Sequence, residues 1–383
     1  MSKTAVYLES KNHYEILDGL RGVAAIMVVI FHIFETFNGG SRFAQIINHG
    51  YLAVDFFFLL SGFVVAYAYD DRWNKMTQWD FYKRRLIRLQ PMVIMGSIVG
   101  AVFFYFQGGN LFSLINHTPV WKTLLVMFVG FTMIPLPISM DIRGWAEMYP
   151  LNGPAWSLFY EYLANILYAL VIRHFSKKAL WIFVTLAAAL LVHYLLFFPE
   201  GDMIGGWALD KLQIRIGFTR MLFPFFAGML LCRIGKKIHI KNAFLFSSLS
   251  IILIFCLPRF GDADHLWKNG LYECICIIIL FPLIVSMGAG GKLENKRAEN
   301  ICRFLGQISY PIYITHYALI YTYTAWVVDN KVPISKGLPY GLIVLFGSIA
   351  IAWACLKWYD EPLREWLKNK FLVKKTSLKK AAA

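Results

Sequence analysis

The chain has 383 residues, of which 58% are hydrophobic and only 16% are charged, a composition more apolar than that of soluble domains. Too few charged residues remain to build the water-facing surface of a soluble protein of this length, so we predict a polytopic membrane protein. The net charge of +15 does not indicate nucleic-acid binding. The basic residues form short clusters between apolar runs, where anionic lipid and membrane topology account for them.

Ten apolar runs are long enough to cross a hydrocarbon core of about 30 Å. They lie at residues 20–37, 50–69, 91–107, 154–172, 179–198, 214–231, 242–258, 269–288, 308–328 and 338–358. An eleventh run at 121–138 contains Pro135 and Pro137, and prolines interrupt a helical hydrogen-bond ladder. We therefore predict an all-α membrane protein with about ten transmembrane helices and one re-entrant or partial helix.

The distribution of basic residues predicts the orientation. If the re-entrant segment returns to its own side, 27 of the 38 Lys and Arg fall in loops on one face and 9 on the other. Cytoplasmic loops carry the excess of Lys and Arg, so we predict cytoplasmic N- and C-termini and a multi-pass location in the plasma (inner) membrane. We expect one membrane domain over 1–383, with a basic cytoplasmic tail at 367–383 that is attracted to anionic lipid.

The first span carries two ionisable residues, Arg21 and His32, at a depth where such residues are costly and mark function. They are eleven positions apart, which is three helical turns plus about 20° at ~100° per residue. Both side chains therefore share one helix face, about 16.5 Å apart along the axis. Asp18 and Glu35 extend the same stripe.

His32 is a candidate proton acceptor, because an imidazole can take a proton at neutral pH without a large change in pKa. A neighbouring carboxylate would fix its tautomer, and Glu35 and Asp55 are the two candidates for this role. The alternative interpretation is a buried histidine that bonds to a neighbouring helix and does no chemistry.

Arg85 and Arg88 follow the second span in a basic segment and are i,i+3 neighbours if that segment is helical. Two guanidinium groups at this spacing suit a phosphate that arrives from the cytosol. A plain positive-inside anchor explains the same residues on spacing alone.

Ser157, Glu161 and Asn165 form an i,i+4 polar stripe on the span that begins near Pro154. Glu161 lies about two turns into the membrane and requires a partner there. Arg220, inside a later span, is predicted to pair with Glu161 or with Asp55, and the sequence does not decide between them.

Tyr313 and His316 share a face of the span at 308–328, with Ser309 one turn earlier. Together with the Ser157 stripe, they are candidates to bind an acceptor. The alternative is that they join helices to one another, as polar residues commonly do in membranes.

These residues resemble acyltransferase family 3, the membrane-bound acyltransferases that modify glycans and other acceptors. In that family an arginine, ten intervening residues and a histidine form a signature, matched here by Arg21 and His32. The resemblance covers about residues 14–366. Its motifs here, in chain order, are Leu17–Gly22 with Phe31 and His32, Gly50–Phe63, Arg85–Arg88, Trp156–Leu158 with Glu161, Leu305–Tyr310 leading to His316, and Glu361 with Pro362.

The resemblance implies a donor, acyl-CoA with acetyl-CoA favoured, and a hydroxyl acceptor on a glycan or lipid-linked sugar, as in the O-acetylation of polysaccharides. The implied catalytic residues are His32, Arg21, Asp55 and Glu161. The implied CoA contacts are Arg85, Arg88 and Arg21, and the implied acceptor contacts are Ser157, Tyr313 and His316. No metal is expected, since the six cysteines show no ligand spacing.

Three points stay open on the sequence. Direct transfer with His32 as general base and transfer through an acyl-histidine are both legal routes. The acceptor, the acyl group and the oligomeric state are not specified. The rival class is a secondary transporter of a small anionic solute, which would also use intramembrane His, Asp, Glu and Arg. We found no paired inverted halves of the kind that many transporters have.

Overall fold

The computed structural model describes residues 11, 13–293 and 295–372, and within them the chain is helical with no β-strand. The predicted all-α class is therefore confirmed. The helices of these residues are α1 (Glu15–Glu35), α2 (Ala53–Tyr69), α3 (Gln78–Phe104), α4 (Ser113–His117), α5 (Val120–Phe131), α6 (Ala155–Leu170), α7 (Lys177–Phe197), α8 (Lys211–Ile234), α9 (Ala243–Cys256), α10 (Trp267–Ile275), α11 (Phe281–Gly290), α12 (Lys296–Thr315), α13 (Tyr317–Asp329), α14 (Ile334–Cys355) and α15 (Glu361–Phe371).

Seven helical stretches among the described residues are long and apolar enough to cross a membrane. They are Glu15–Glu35, Gly50–Tyr69, Gln78–Gln107, Lys177–Phe197, Lys211–Ile234, Trp267–Gly290 and Ile334–Phe371. The predicted span at 308–328 is divided between α12 and α13 at His316, and α9 is a shorter apolar helix. A multi-pass membrane protein follows, while the count of ten spans stays a prediction.

The basic segment after α2 is helical from Gln78 onward, well before the predicted span at 91–107. A reciprocal capping box explains this early start. The Thr77 hydroxyl accepts from the Asp80 backbone N–H at 3.1 Å, and the Asp80 carboxylate accepts from the Thr77 N–H at 3.2 Å. Arg85 and Arg88 therefore lie on a helix, as their i,i+3 spacing requires.

Glycines bring the central helices into backbone contact. A Cβ on Gly22 of α1 would lie 2.4 Å from the Leu305 carbonyl oxygen of α12. A Cβ on Gly62 of α2 would lie 1.7 Å from the Phe225 carbonyl oxygen of α8. Helices in lipid associate by close packing of this kind, so α1–α12 and α2–α8 form the inner frame of the bundle.

Several basic segments meet at one end of the bundle, which we call the basic face. The Lys11 amine donates to the Tyr67 carbonyl at 2.6 Å, beside the end of α2. Arg233, at the end of α8, pairs with Asp70 at 2.8 Å and donates to the Phe175 carbonyl at 3.1 Å. α1 therefore begins on the basic face and carries His32 toward the opposite face. Of the predicted tail, residues 373–383 lie outside the described residues.

α5 covers much of the predicted re-entrant run. The Lys122 amine, near its start, donates to the Asp141 carbonyl at 3.1 Å. The Phe131 carbonyl, at its end, accepts from the Gln90 amide in the middle of α3. The end of α5 therefore lies beside the middle of α3, and the chain after α5 comes back beside the start of that helix. The re-entrant course itself stays a prediction.

Candidate active site

Two cavities lie along α1. The basic-face cavity has a volume of about 120 Å³ and is lined by Arg21, Arg85, Arg88, Ser157 and Glu161, among others. The far cavity has a volume of about 750 Å³, and its walls include His32, Glu35, Arg220, His316 and Tyr317. Val54 and Tyr313 line both cavities. Arg21 and His32 of α1 therefore line different cavities, and the two cavities adjoin at Tyr313.

His32 is held between a carboxylate and a phenol. Its Nδ1 lies 2.6 Å from the Glu35 carboxylate, and its Nε2 lies 3.1 Å from the Tyr317 hydroxyl. Because a carboxylate only accepts hydrogen bonds, Nδ1 carries the proton and the lone pair of Nε2 accepts from Tyr317. Glu35, rather than Asp55, is the carboxylate that fixes the tautomer. This arrangement presents a basic nitrogen to the far cavity.

His316 stacks on His32, with ring centroids 5.6 Å apart and an interplanar angle of 28°. Its Nδ1 donates to the carbonyls of Ile312 and Tyr313, each at 3.0 Å. Its Nε2 is buried and has no hydrogen-bond partner among the described residues. A buried lone pair without a partner is costly, and such groups concentrate at functional sites.

Two of the three arginines that line the basic-face cavity lie beside carboxylates. Arg85 donates to the Glu161 carboxylate at 2.6 Å, and the Ser61 hydroxyl donates to the same oxygen at 3.0 Å. Arg21 lies 3.3 Å from Asp18, one turn earlier on α1. Arg88 is exposed at the edge of the cavity. Glu161, predicted as catalytic, therefore contacts Arg85 and has no contact with His32 here.

Asp55 forms a buried ion pair with Arg220 at 2.8 Å, and both side chains are at most 2% exposed. Arg220 also donates to the carbonyls of Tyr51 at 2.6 Å and Gly205 at 3.2 Å. The structure thus pairs Arg220 with Asp55 and leaves Glu161 to Arg85. Asp55, predicted as catalytic, has no contact with His32 here and supports the far cavity through Arg220.

Ser157 and Tyr313 meet at the boundary of the two cavities, with their hydroxyl oxygens 2.7 Å apart. Ser157 is also 3.0 Å from the Pro154 carbonyl. Asn165, the third member of the predicted stripe, bonds instead to the Glu161 backbone carbonyl at 2.7 Å. Ser157 and Glu161 therefore line the basic-face cavity, whereas Asn165 bonds back to the backbone of α6.

The sequence interpretation missed a polar cluster on the far cavity. Arg143 stacks on the Tyr321 ring at 3.7 Å and lies 3.4 Å from the Glu147 carboxylate, which accepts from the Tyr321 hydroxyl. Burial raises the pKa of Glu147 to about 7, against the opposing effect of Arg143. An Arg and a Glu four residues apart in a loop between apolar runs were the available signal.

Metal ligands do not gather in the part of the chain that the structure describes, where no group of three or more His, Cys, Asp or Glu side chains could hold a metal ion. The six cysteines are all unpaired.

Comparisons with known proteins give a consistent result. Residues 14–357 match the family described as an acyltransferase domain (acyltransferase family 3). "Protein 2 in picA locus" of Rhizobium radiobacter is 34% identical over 165 residues, which cover 40% of this chain and 80% of that protein. No solved structure matches the chain.

Two further relatives come from Staphylococcus aureus. The O-acetyltransferase OatA is 24% identical over 331 residues, covering 83% of this chain and 52% of OatA. A putative O-acetyltransferase is 24% identical over 358 residues, covering 87% of this chain and 55% of that protein. This chain therefore spans about half the length of these two relatives. Since the family match covers most of the chain, the protein belongs to acyltransferase family 3.

Proposed function

We propose that the protein is a membrane O-acyltransferase that moves an acyl group, acetyl by preference, from cytoplasmic acyl-CoA to a hydroxyl of a carbohydrate acceptor. The observation that carries the proposal is the pair of adjoining cavities, one with three arginines and one with the His32–Glu35 pair. In the proposed orientation the basic face is cytoplasmic and the far cavity opens to the other side of the plasma membrane.

The basic-face cavity suits the donor. Arg21, Arg85 and Arg88 line it beside one acid, Glu161, and Arg88 is exposed at its edge. The far cavity also has three arginines (Arg42, Arg220 and Arg259), but they are ion-paired with Asp202 or Asp55, so the basic-face cavity is the one that offers an arginine to phosphate groups. Its volume of about 120 Å³ is too small for a nucleotide. The nucleotide and its phosphates would therefore lie at the mouth near Arg88, while the thin arm that bears the thioester enters along α1 toward His32.

The far cavity suits a sugar acceptor. Its volume of about 750 Å³ falls within the range of small-molecule sites, roughly 300–1,000 Å³. Trp145, Trp156 and Trp207 all line it. Flat aromatic faces bind the apolar C–H faces of sugar rings, while nearby polar groups bind their hydroxyls. His32, on the same wall, would then meet one acceptor hydroxyl.

The proposed reaction is one acyl transfer with balanced protons. His32 Nε2 takes the proton of the acceptor hydroxyl, in place of its hydrogen bond to Tyr317, as the hydroxyl oxygen attacks the thioester carbonyl carbon. The carbon–sulfur bond then breaks, and the imidazolium returns the proton to the thiolate. The Glu35 carboxylate stabilises the imidazolium between these events. A route in which His32 Nε2 itself carries the acyl group has the same overall balance.

Membranes containing the protein, supplied with acetyl-CoA and candidate glycans, provide the test. We expect free CoA to appear together with an acetylated glycan, and both to depend on His32. CoA release without any acetylated acceptor across a panel of surface polysaccharides and lipid-linked sugars would contradict the carbohydrate part of the proposal. Mass spectrometry of the glycans identifies the product.

Replacing Arg88 with Ala should raise the KM for acetyl-CoA about 10-fold, because a charge-assisted bond to phosphate contributes about 1.5 kcal/mol at an exposed position. The maximum rate should change little, since Arg88 lines the basic-face cavity and His32 lines the far cavity. Lys83→Ala is the matched control, because Lys83 lies on the same helix but stacks on Trp79 outside the cavity. Equal KM values for the two variants would contradict the assignment of Arg88.

Replacing Glu35 with Gln should lower the maximum rate on the order of 10²-fold, because the amide cannot stabilise an imidazolium as a carboxylate does. The KM for acetyl-CoA should stay near its original value, since Glu35 lines only the far cavity. Glu365→Gln, on the exposed surface of α15, is the control. A Glu35→Gln protein with full activity would exclude the His32–Glu35 pair as the reacting unit.

A further inference from the structure

Tyr313 stands where the two cavities adjoin. It lines both of them, as does only Val54 among the described residues. Its ring packs edge-on against Phe57 of α2, with centroids 5.3 Å apart, and its side chain is buried. A thioester that enters by the basic-face cavity and reaches His32 in the far cavity must therefore pass beside the phenol of Tyr313.

The direction of the Tyr313 proton follows from its neighbour. Ser157 has one hydroxyl proton, and the Pro154 carbonyl, 3.0 Å away, can only accept it. The Ser157 oxygen is then the acceptor for the Tyr313 hydroxyl at 2.7 Å. The phenol is consequently a hydrogen-bond donor whose resting partner is a neutral hydroxyl, a weak acceptor compared with an oxyanion.

We propose that Tyr313 donates a hydrogen bond to the thioester carbonyl oxygen and stabilises the charge that develops there, exchanging Ser157 for the oxyanion. The assignment rests on the proposed function. As the acceptor oxygen bonds to the carbonyl carbon, the carbonyl π electrons move onto the carbonyl oxygen. The hydrogen bond that the Tyr313 hydroxyl donates to this oxygen then shortens. When the carbon–sulfur bond breaks, the carbonyl re-forms and the thiolate takes its proton from His32. Tyr313 keeps its own proton throughout.

A donor that is already in place at the position where charge develops is worth more than one that must reorient. Tyr313 meets this condition, since Phe57 holds its ring and α12 is joined to α1 by the Gly22 contact. Val54, the other residue shared by the cavities, has no polar group to offer. Ser157 acts as a positioning residue, because it holds the phenol in the resting state.

The competing explanation is that the bond between Ser157 and Tyr313 only joins α6 to α12. The two explanations predict different results. A structural bond is lost equally when either partner is removed, so Tyr313→Phe, Ser157→Ala and the double variant would behave alike. A catalytic phenol survives the loss of Ser157, so the Tyr313 variants should lose much more activity than Ser157→Ala.

The experiment measures acetyl-CoA turnover in membranes for Tyr313→Phe and Ser157→Ala. Tyr313→Phe should lower the maximum rate by about 10²–10³-fold with the KM for acetyl-CoA within a few-fold. Ser157→Ala removes a positioning residue and should lower the maximum rate by about 3–10-fold, the effect of one hydrogen bond between helices in a membrane, which is well below the loss in Tyr313→Phe. Tyr323→Phe is the control, since its hydroxyl bonds to the Gly337 carbonyl and lines neither cavity.

Near-normal turnover by Tyr313→Phe, or a loss in Ser157→Ala as large as that in Tyr313→Phe, would overturn the assignment. If Tyr313→Phe does not accumulate, Ser157→Ala decides alone, because it keeps the phenol, and a loss of 10²-fold there contradicts the proposal. His32→Ala in the same assay distinguishes failure of the Tyr313 assignment from failure of the proposed function. An inactive His32→Ala beside an active Tyr313→Phe rejects only the role of Tyr313, whereas an active His32→Ala rejects the proposed function itself.

Discussion

Replacing His32 with Ala should lower acyl transfer by at least about 10²–10⁴-fold, the contribution of a positioned general base. The His32 side chain is 14% exposed, bonded to Glu35 and Tyr317, and faces the far cavity. A water molecule in the space left by the ring could not both accept a proton and return it to the leaving thiolate. The loss should therefore appear in the maximum rate, with binding of CoA unchanged, since the proposed contacts for the CoA phosphates lie in the other cavity.

The measurement is CoA release from acetyl-CoA in membranes that contain equal amounts of each variant. His193→Ala is the control, because His193 lies exposed on α7 and lines neither cavity. Retention of activity by His32→Ala would exclude both the general-base route and the acyl-histidine route. Trapping of an acyl group on the protein, lost in His32→Ala, would select the acyl-histidine route.

Replacing Arg220 with Ala should destabilise the folded protein by about 3–5 kcal/mol, because it leaves the carboxylate of Asp55 buried without its partner. Asp55 is fully buried and Arg220 is 2% exposed, so removal of Arg220 breaks four hydrogen bonds at once, two to Asp55 and two to backbone carbonyls. Arg303→Ala, which breaks an exposed pair with Glu299, should cost less than about 1 kcal/mol.

Thermal unfolding of the purified variants in one detergent measures the difference. The double variant with Asp55→Ala should be more stable than Arg220→Ala alone, because it leaves no unpaired charge inside the bundle. A double variant that is stable yet inactive would show that the Asp55–Arg220 pair is needed for activity as well as for stability. An Arg220→Ala protein as stable as Arg303→Ala would contradict the ion pair as a support of the far cavity.

Helical periodicity was sufficient to identify the axis of the site. Arg21 and His32 are on one face of one helix, and no other part of the chain is needed to place them on that stripe. The sequence also paired Arg85 with Arg88 correctly as helical neighbours, and the i,i+4 spacing put Ser157 and Glu161 on one wall. Local geometry fixes these relations, because a helix has a constant rotation and rise per residue.

Partners across helices were beyond the reach of the same reasoning. Arg220 had two candidate acids, and the choice of Asp55 depends on α2 and α8 packing through Gly62. Glu161 was predicted to need a partner in the membrane, with Arg220 as one candidate, whereas its contact with Arg85 depends on how α3 packs against α6. The Glu147 cluster was missed because it lies in a loop, where spacing along the chain does not predict direction.

The sequence by itself determined that the chain is helical and that it uses lipid as its solvent. It also determined which ionisable residues lie at which depth along the first helix. Only the tertiary structure decided that Arg21 and His32 open into different cavities, that these adjoin at Tyr313, and that Glu35 is the carboxylate on His32. Composition and helical periodicity are informative within one helix, where the number of residues between two positions fixes their distance and relative direction. A cavity is the space left by several helices, and its shape depends on their crossing points and on the glycines that allow them.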